Sequence, residues 1–222
     1  MQNVEIVGVT KPVNKLDIMT VDEFIAYVAR VSNPSNQNNT LTAPKLLRYL
    51  AKHKHWSPFE MVNVVMEIET TRDIARQILR HRSFSFQEFS QRYADPTKDL
   101  GFVTREARLQ DQKNRQNSIE TDDNMLQENW EKIQLGLSFK FTEAYKWAIK
   151  NGIAKEQARA VLPEGLTVSR MYMNGTLRSW IHYCQLRTGP ETQKEHREIA
   201  QMAWEKLCKQ FPSLSEVLID TK

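Results

Sequence analysis

Apolar and polar positions recur with two different periods along this chain, and each period predicts an element. Residues 4–9, VEIVGV, form a β-branched run that predicts a short strand. From Val21 to Val31, Phe24, Val28 and Val31 recur at helical spacing, and Thr20 precedes them with Glu23 three residues on. In that arrangement each side chain satisfies the other's backbone amide, so a helix should begin there. Ser32 to Thr40, SNPSNQNNT, reads as a loop, because Asn and Ser side chains compete for backbone hydrogen bonds and Pro34 cannot continue a helix. Leu46, Leu47 and Leu50 predict a second amphipathic helix ending near His53. The period then drops to two: Val62, Val64, Met66 and Ile68 alternate with Asn63, Val65, Glu67 and Glu69, as in a strand with one buried face. After Thr70-Thr71 it reverts, and Ile74, Ala75, Ile78 and Leu79 fit a helix with Thr71 at its N-cap.

The second half is more polar. Residues 104–130 carry Arg105, Arg108, Lys113 and Arg115 against Asp111, Glu120, Asp122 and Asp123, a pattern expected of either a solvated helix or a mobile loop. Ile133, Leu137, Phe141, Ala144 and Ala148 predict a long helix over 130–150, closed by Asn151-Gly152. Shorter helices are expected over Lys155 to Leu162, stopped by Pro163, and over Ser179 to Leu186, with a last one over Glu195 to Gln210. With only 7 Gly and 8 Pro, turns are sparse and helices should dominate. The expected fold is α+β, a small, mainly antiparallel sheet flanked by several helices, in a single domain over 1–222 with a polar insertion at about 104–130.

Composition narrows the function classes. A net charge of +4 and pI of about 9.0 permit anionic ligands. The charge is nearly balanced and the arginines form no contiguous basic stripe, which argues against a nucleic-acid partner. The longest apolar runs, such as Val64 to Met66, are far short of the roughly 20 residues a membrane helix needs, so no membrane partner is expected. The start, MQNVEIVGVT, lacks a charged stretch followed by an apolar core, and Cys184 and Cys208 have no metal-type spacing. A reduced, cytoplasmic protein without a metal is the expectation.

Residues 76–95, RQILRHRSFSFQEFSQRYAD, concentrate the chemistry. Arg76, Arg80 and Arg82 stand close in sequence, and Arg72, Arg76 and Arg80 are spaced to share one helix face. Glu88 and Asp95 are the segment's acids, too few to neutralise the arginines internally. Guanidinium groups match phosphate oxygens as planar forks. Gln87, Gln91, Ser83, Ser85 and Ser90 are short hydrogen-bonding groups suited to ribose or a base edge, and Phe84, Phe86, Phe89 and Tyr93 offer flat apolar walls. The combination describes a nucleotide pocket.

Arg80-His81-Arg82, seven residues and then Ser90 resemble the RHRx7S signature of flavin-dependent thymidylate synthases. Further segments follow in that family's order: Ala29-Arg30-Val31-Ser32, His55-x-Ser57-Pro58-Phe59-Glu60, Ala158-Arg159-x-Val161-Leu162-Pro163, and Arg178-Ser179-Trp180-x-His182-Tyr183-x-x-Leu186-Arg187. The resemblance implies reductive methylation of dUMP to dTMP, with 5,10-methylenetetrahydrofolate as carbon donor, FAD as hydride carrier and NADPH as reductant. It assigns Ser57, Arg80, His81, Arg82, Glu88, Thr176, Arg178 and His182 to the flavin, and Gln77, Arg80, Glu88, Ser90, Arg92, Arg159 and Arg187 to dUMP. Arg187 matches the catalytic arginine that polarises uracil, so no cysteine nucleophile is needed. It also implies a homotetramer with sites shared between subunits. The family's usual Asn two residues before Arg178 is Thr176 here, with Asn174 two further back, so either residue could take that role.

Other chemistry-bearing residues have plainer readings. Ser90 lacks an identifiable base and reads as a substrate hydrogen-bonder. Cys184 reads as a buried small hydrophobe, His53 and His55 as surface or turn residues without a third metal ligand, and His196 as a helix-surface residue near Gln193 and Arg197. Trp56, Trp130, Trp147, Trp180 and Trp204 are expected in the core. Residues 105–123 should be exposed.

Overall fold

The structure, a computed structural model, describes residues 2–16 and 19–215. Its elements in chain order are β1 (Asn3–Val9), α1 (Val21–Ala29), α2 (Ala43–Lys52), β2 (Asn63–Thr71), α3 (Arg72–Ile78), β3 (Ser85–Glu88) and α4 (Pro96–Asp99). There follow β4 (Arg108–Gln110), β5 (Ser118–Glu120), α5 (Asn124–Lys150), α6 (Lys155–Ala158), β6 (Val168–Thr176), α7 (Leu177–Arg187) and α8 (Lys194–Gln210). Four strands form one sheet in the order β1-β2-β6-β3, and β4 with β5 forms a separate hairpin. The fold class is α+β with a small antiparallel sheet, as the sequence predicts.

The antiparallel sense is visible at the strand ends. Thr10 N–H, after β1, donates to Asn63 O at the start of β2 (2.9 Å). Leu177 N–H, after β6, donates to Val62 O (2.8 Å), and Phe89 N–H, after β3, donates to Arg170 O (2.8 Å). Val62, Val64, Met66 and Ile68 are all fully buried, so the period-two reading of this stretch holds. β6 was not predicted, although its burial alternates: Met171 and Met173 point inward while Arg170 and Tyr172 point out. Met and Arg are not the β-branched residues that mark a strand in sequence.

The chain forms two compact units, each built from interrupted segments. One comprises chiefly Glu69–Arg80 and Gln87–Met171; the other comprises Asn3–Ile68, His81–Phe86 and the chain from Tyr172 onward. In the second unit Thr20 caps α1 reciprocally with Glu23, as predicted. The buried positions of α1 are Ile25 and Ala26, however, and Val31 is exposed, so the buried face is displaced from the predicted Phe24–Val28–Val31 stripe. Trp180 is fully buried and its indole N–H donates to Val64 O (3.0 Å), which ties α7 to β2 within this unit. In the first unit, Tyr145, Ala148, Ala158 and Leu162 form a core with Phe102, Phe141 and Ile149 packed against it.

Residues 104–130 are not one solvated helix or one loop throughout. They form the exposed hairpin β4–β5, with Leu109 opposite Ile119, followed by the first turns of α5. Asp111 organises the hairpin's end, accepting N–H groups of Lys113 (2.8 Å) and Asn114 (3.1 Å). α5 starts six residues before the predicted Trp130, where the Asp123 side chain caps it by accepting Leu126 N–H (2.9 Å). Its predicted apolar stripe is largely uncovered in the single chain: Ile133, Leu137 and Ala144 are exposed, as are Phe139 and Trp147. The expectation that Trp130 and Trp147 lie in the core therefore fails for this chain alone.

Candidate active site

α3 ends at Ile78, so the helix carries Arg72 and Arg76 but not Arg80, which follows it in a turn whose N–H donates to Gln77 O (3.4 Å). The predicted three-arginine helix face is thus broken. Arg72 is 6% exposed; Arg76 and Arg80 are exposed. The acids that meet these arginines come from two places. Arg72 approaches Glu88 Oε1 with Nη1 (3.5 Å) and Glu164 Oε1 with Nε (3.6 Å). Arg76 approaches Glu88 Oε2 (3.6 Å) and the same Glu164 oxygen (3.4 Å). Ser169 Oγ donates to Glu88 Oε1 (2.8 Å). Glu88, expected to touch flavin and substrate, is here the anchor of two guanidinium groups. Glu164 lies 76 positions beyond Glu88, and no local pattern marked it as their second acid.

Beside this network lies a cavity of about 330 Å3, lined by Arg72, Arg76, Gln91, Arg159, Ala160, Leu162 and Glu164. Gln91 is 4% exposed, and its buried Nε2 has no hydrogen-bond partner. A buried donor without an acceptor is unfavourable by about 1–3 kcal/mol, so this group favours an acceptor-bearing guest. Three guanidinium groups and an unpaired amide donor, set against one carboxylate in the lining, suit an anion with several oxygens. Arg159 stands where α6 passes into a single 3-10 turn, Arg159–Val161. At the start of α6, Glu156 pairs with the exposed Arg92 (3.2 Å) and Lys155 Nζ donates to Tyr93 O (2.7 Å), so the 90–95 turn is tethered to this helix. Ser90 is exposed, and its carbonyl accepts the N–H groups of Tyr93 (3.0 Å) and Ala94 (2.9 Å).

The other unit carries Ser57, His81, Arg82, Thr176, Arg178, His182 and Arg187. Ser57 opens an exposed 3-10 turn, Ser57–Met61, anchored by the fully buried Phe59. From the same turn Glu60 Oε1 accepts from Arg178 Nη1. The Trp56 ring meets the edge of His182 with centroids 4.9 Å apart. Burial, and then the Arg178 charge, hold the His182 imidazole below its ordinary pKa. Arg82 is exposed. Arg187 Nε–H donates to His81 Nε2 (3.0 Å).

Thr176 and Asn174 behave differently. The Thr176 hydroxyl caps α7, accepting Ser179 N–H (3.2 Å) and donating to Ser179 Oγ (3.1 Å). Asn174 Oδ1 is buried with no partner, and so is Arg178 Nε. One orphaned acceptor and one orphaned donor in the stretch expected to meet flavin fit a guest with both donor and acceptor edges, as a flavin ring system has.

His53 and His55 are exposed and lie by Tyr49, with ring centroids 4.2 Å and 6.3 Å from it. Cys184 is buried, and burial pushes its thiol well up, so it stays protonated and is unsuited to nucleophilic attack. Cys208 is raised to about 11 by burial and then by Glu205, and both thiols are free. No group of three or more His, Cys, Asp or Glu with metal-holding geometry occurs among the described residues. His196, expected on the helix surface, is fully buried. The signal was present in sequence: His196 lies on the same helical stripe as Ile199, Ala200, Ala203 and Leu207, all buried.

Burial, then the charges of Arg187 and His81, lower the His196 pKa to about 3, so it is neutral in the folded chain. Between about pH 6.5 and 3 the unfolded state therefore binds a proton that the folded state does not, and stability from this group is present above that window and lost as pH falls through it. The slope is about 1.4 kcal/mol per pH unit. We expect urea-unfolding free energies of His196→Leu to fall less steeply than those of the native chain across that window; parallel curves would contradict the buried neutral imidazole.

Comparison with known proteins identifies relatives of the chain. The family described as Thy1, thymidylate synthase complementing protein, matches residues 16–213. A probable flavin-dependent thymidylate synthase of Paramecium bursaria Chlorella virus 1 is 48% identical over 214 residues, covering 96% of this chain and 97% of that one. A flavin-dependent thymidylate synthase of Synechocystis sp. is 46% identical over 218 residues, covering 97% and 99%. The crystal structure of a UMP/dUMP methylase, PolB, from Streptomyces cacaoi bound with 5-Br dUMP superposes with a TM-score of 0.79 at 25% identity, covering 98% of this chain and 94% of that one. Fold and sequence together define a flavin-dependent enzyme of the methyltransferase class. The chain belongs to the flavin-dependent thymidylate synthase family.

Proposed function

We propose that this chain converts dUMP to dTMP by reductive methylation, taking carbon from 5,10-methylenetetrahydrofolate and electrons from NADPH through bound FAD. The observation that carries the reading is the cavity lined by Arg72, Arg76, Arg159 and Gln91, whose Nε2 is buried and unpaired. Such a site matches the terminal phosphate of a nucleotide better than any neutral guest. Gln77, Arg80, Glu88, Ser90, Arg92 and Arg159 are the residues proposed to hold dUMP. Ser57, Arg80, His81, Arg82, Glu88, Thr176, Arg178 and His182 are proposed to hold the flavin. Asn174, with its unpaired buried acceptor, joins the flavin group alongside Thr176, whose hydroxyl also caps α7.

Bound flavin would supply the hydride that completes the methyl group. The protein's own part is electrostatic. Arg187 is the proposed catalytic residue: its guanidinium stays protonated, donates in a plane, and stabilises negative charge developing on the uracil ring. Its Nε–H donates to His81 Nε2. With the Cys184 thiol held protonated, activation by an arginine instead of a thiolate is consistent with the chain's chemistry.

The proposed assembly is a homotetramer with sites shared between subunits. The uncovered apolar side chains of α5, Ile133, Leu137, Phe139 and Trp147 among them, supply a surface that self-association would bury. The proposed location is the cytoplasm; among the described residues no helix is long and apolar enough to cross a membrane.

The purified protein is expected to be yellow, with a flavin visible spectrum, and to release tritium from 5-tritiated dUMP only when folate and reductant are both present. Colourless protein that cannot be reconstituted with FAD, or tritium release without folate, would refute the assignment.

A further inference from the structure

We propose that Tyr183 and His196 are positioning residues that set the direction of Arg187 through His81. This rests on the reading of Arg187 as the ring-activating cation and extends it to side chains to which the family resemblance assigned no role.

The chain of contacts begins at the guanidinium. An arginine Nε–H can only donate, so the 3.0 Å contact requires a lone pair on His81 Nε2. The direction of that lone pair follows the tilt of the imidazole. Three rings fix the tilt, one of them His196 itself, which meets His81 edge-on with centroids 6.2 Å apart and planes at 86°. Tyr183 meets the His81 ring edge-on, with centroids 4.9 Å apart and planes at 80°, and Phe84 does so at 6.4 Å and 85°. Edge-to-face geometry restricts rotation more than a greasy contact of the same area would.

Tyr183 is in turn held by His196, whose Nε2 lies 3.1 Å from the phenol oxygen. Both residues are almost completely buried, at 1% and 0% exposure. Burial pushes the Tyr183 phenol well above its ordinary value, so it keeps its proton. Tyr183 precedes Arg187 by one helical turn on α7, and His196 comes from α8, the neighbouring helix in this unit. The hydrogen bond therefore couples the α7 ring that supports His81 to a second helix.

A histidine on an otherwise apolar stripe is a costly way to fill space. Leucine or isoleucine there, with phenylalanine at 183, would pack the same volume without burying two polar groups. What the polar pair adds is direction: a hydrogen bond allows one orientation of the tyrosine ring where apolar packing allows several. An arginine that must present its fork to one edge of a pyrimidine benefits from that restriction, because small misplacements of a charged donor lower rate without preventing binding.

The test is the double variant Tyr183→Phe/His196→Leu, which removes the phenol oxygen and the imidazole together. We expect its melting temperature, flavin content and KM for dUMP to stay near native while kcat falls about tenfold, the size seen when outer partners of reacting groups are removed. His196→Gln, which keeps a polar atom towards the phenol, should recover most of that loss. A double variant with native kcat would overturn the proposal, leaving the pair a merely structural one. Arg187→Ala, assayed in parallel, separates the two levels. If Arg187→Ala turns over at the native rate, the reading of Arg187 itself is wrong; if it is inactive while the double variant is fully active, only the positioning role is.

Discussion

Replacing Arg187 with Ala should leave a yellow protein that binds flavin normally and turns over about 1000-fold more slowly. Removing one preorganised donor from a developing oxyanion typically raises the barrier by about 3–4 kcal/mol, which corresponds to a loss of this order. The loss should fall on kcat, because the charge Arg187 meets develops only as the ring reacts. Arg187→Lys keeps the positive charge but replaces the planar fork with a single ammonium, and it also forfeits the Nε–H donated to His81. It is expected to recover only a minor part of the rate. Visible absorbance after gel filtration and single-turnover tritium release, measured on the same preparations, check both halves of the statement. A Lys variant at the native rate would show that net charge alone activates the ring.

Gly175→Ala should be the most damaging of the small substitutions. A Cβ at Gly175 would overlap Phe84 Cδ1 and Cε1, closer than real contacts allow. Phe84 has little room to retreat: its ring meets Trp180 at 4.9 Å and Tyr183 at 6.0 Å, and both of those are buried. Overpacking of this kind destabilises by about 1–3 kcal/mol. For a chain of this size that lowers the melting temperature by roughly 2–4 °C per kcal/mol. A functional loss should accompany it, since Phe84 stands two residues after Arg82 and three after His81, and displacing its ring shifts the segment proposed to line the flavin. Gly165→Ala is the control, because a Cβ there meets nothing within 4 Å. If Gly175→Ala melts with Gly165→Ala and retains its flavin, the close approach of Phe84 to the strand is not a constraint.

The elements that sequence pattern captured best were those whose period matched a buried face. The alternation over Val62–Ile68, the reciprocal cap of Thr20 and Glu23, and the stop after α8 all depend on local geometry, and local geometry is written in neighbouring residues. The misses have particular causes. β6 alternates through Met and Arg, so its period was masked by residues with no strand preference. The β4–β5 hairpin is exposed at nearly every position and thus carries no hydrophobic pattern. On α5 the stripe was correct as a pattern of residue types, but the single chain does not cover it.

The candidate site divides along the same line. Its chemistry was legible in advance, because arginine density, interleaved aromatics and the family's segment order are properties of residue type and spacing. The consequence of burial was not. Arg72 and Arg76 share Glu164, far along the chain; Gln91 is left without an acceptor; and His196 is sealed away from water with Tyr183. By itself the sequence established that this chain carries guanidinium groups for an anionic guest and helices with apolar faces to organise them. Only the tertiary structure decided which cations are already paired and which buried donors still lack a partner. Pairing and desolvation depend on atoms that approach across the fold, and their energies change steeply over a few ångströms, a scale that spacing along a chain does not encode.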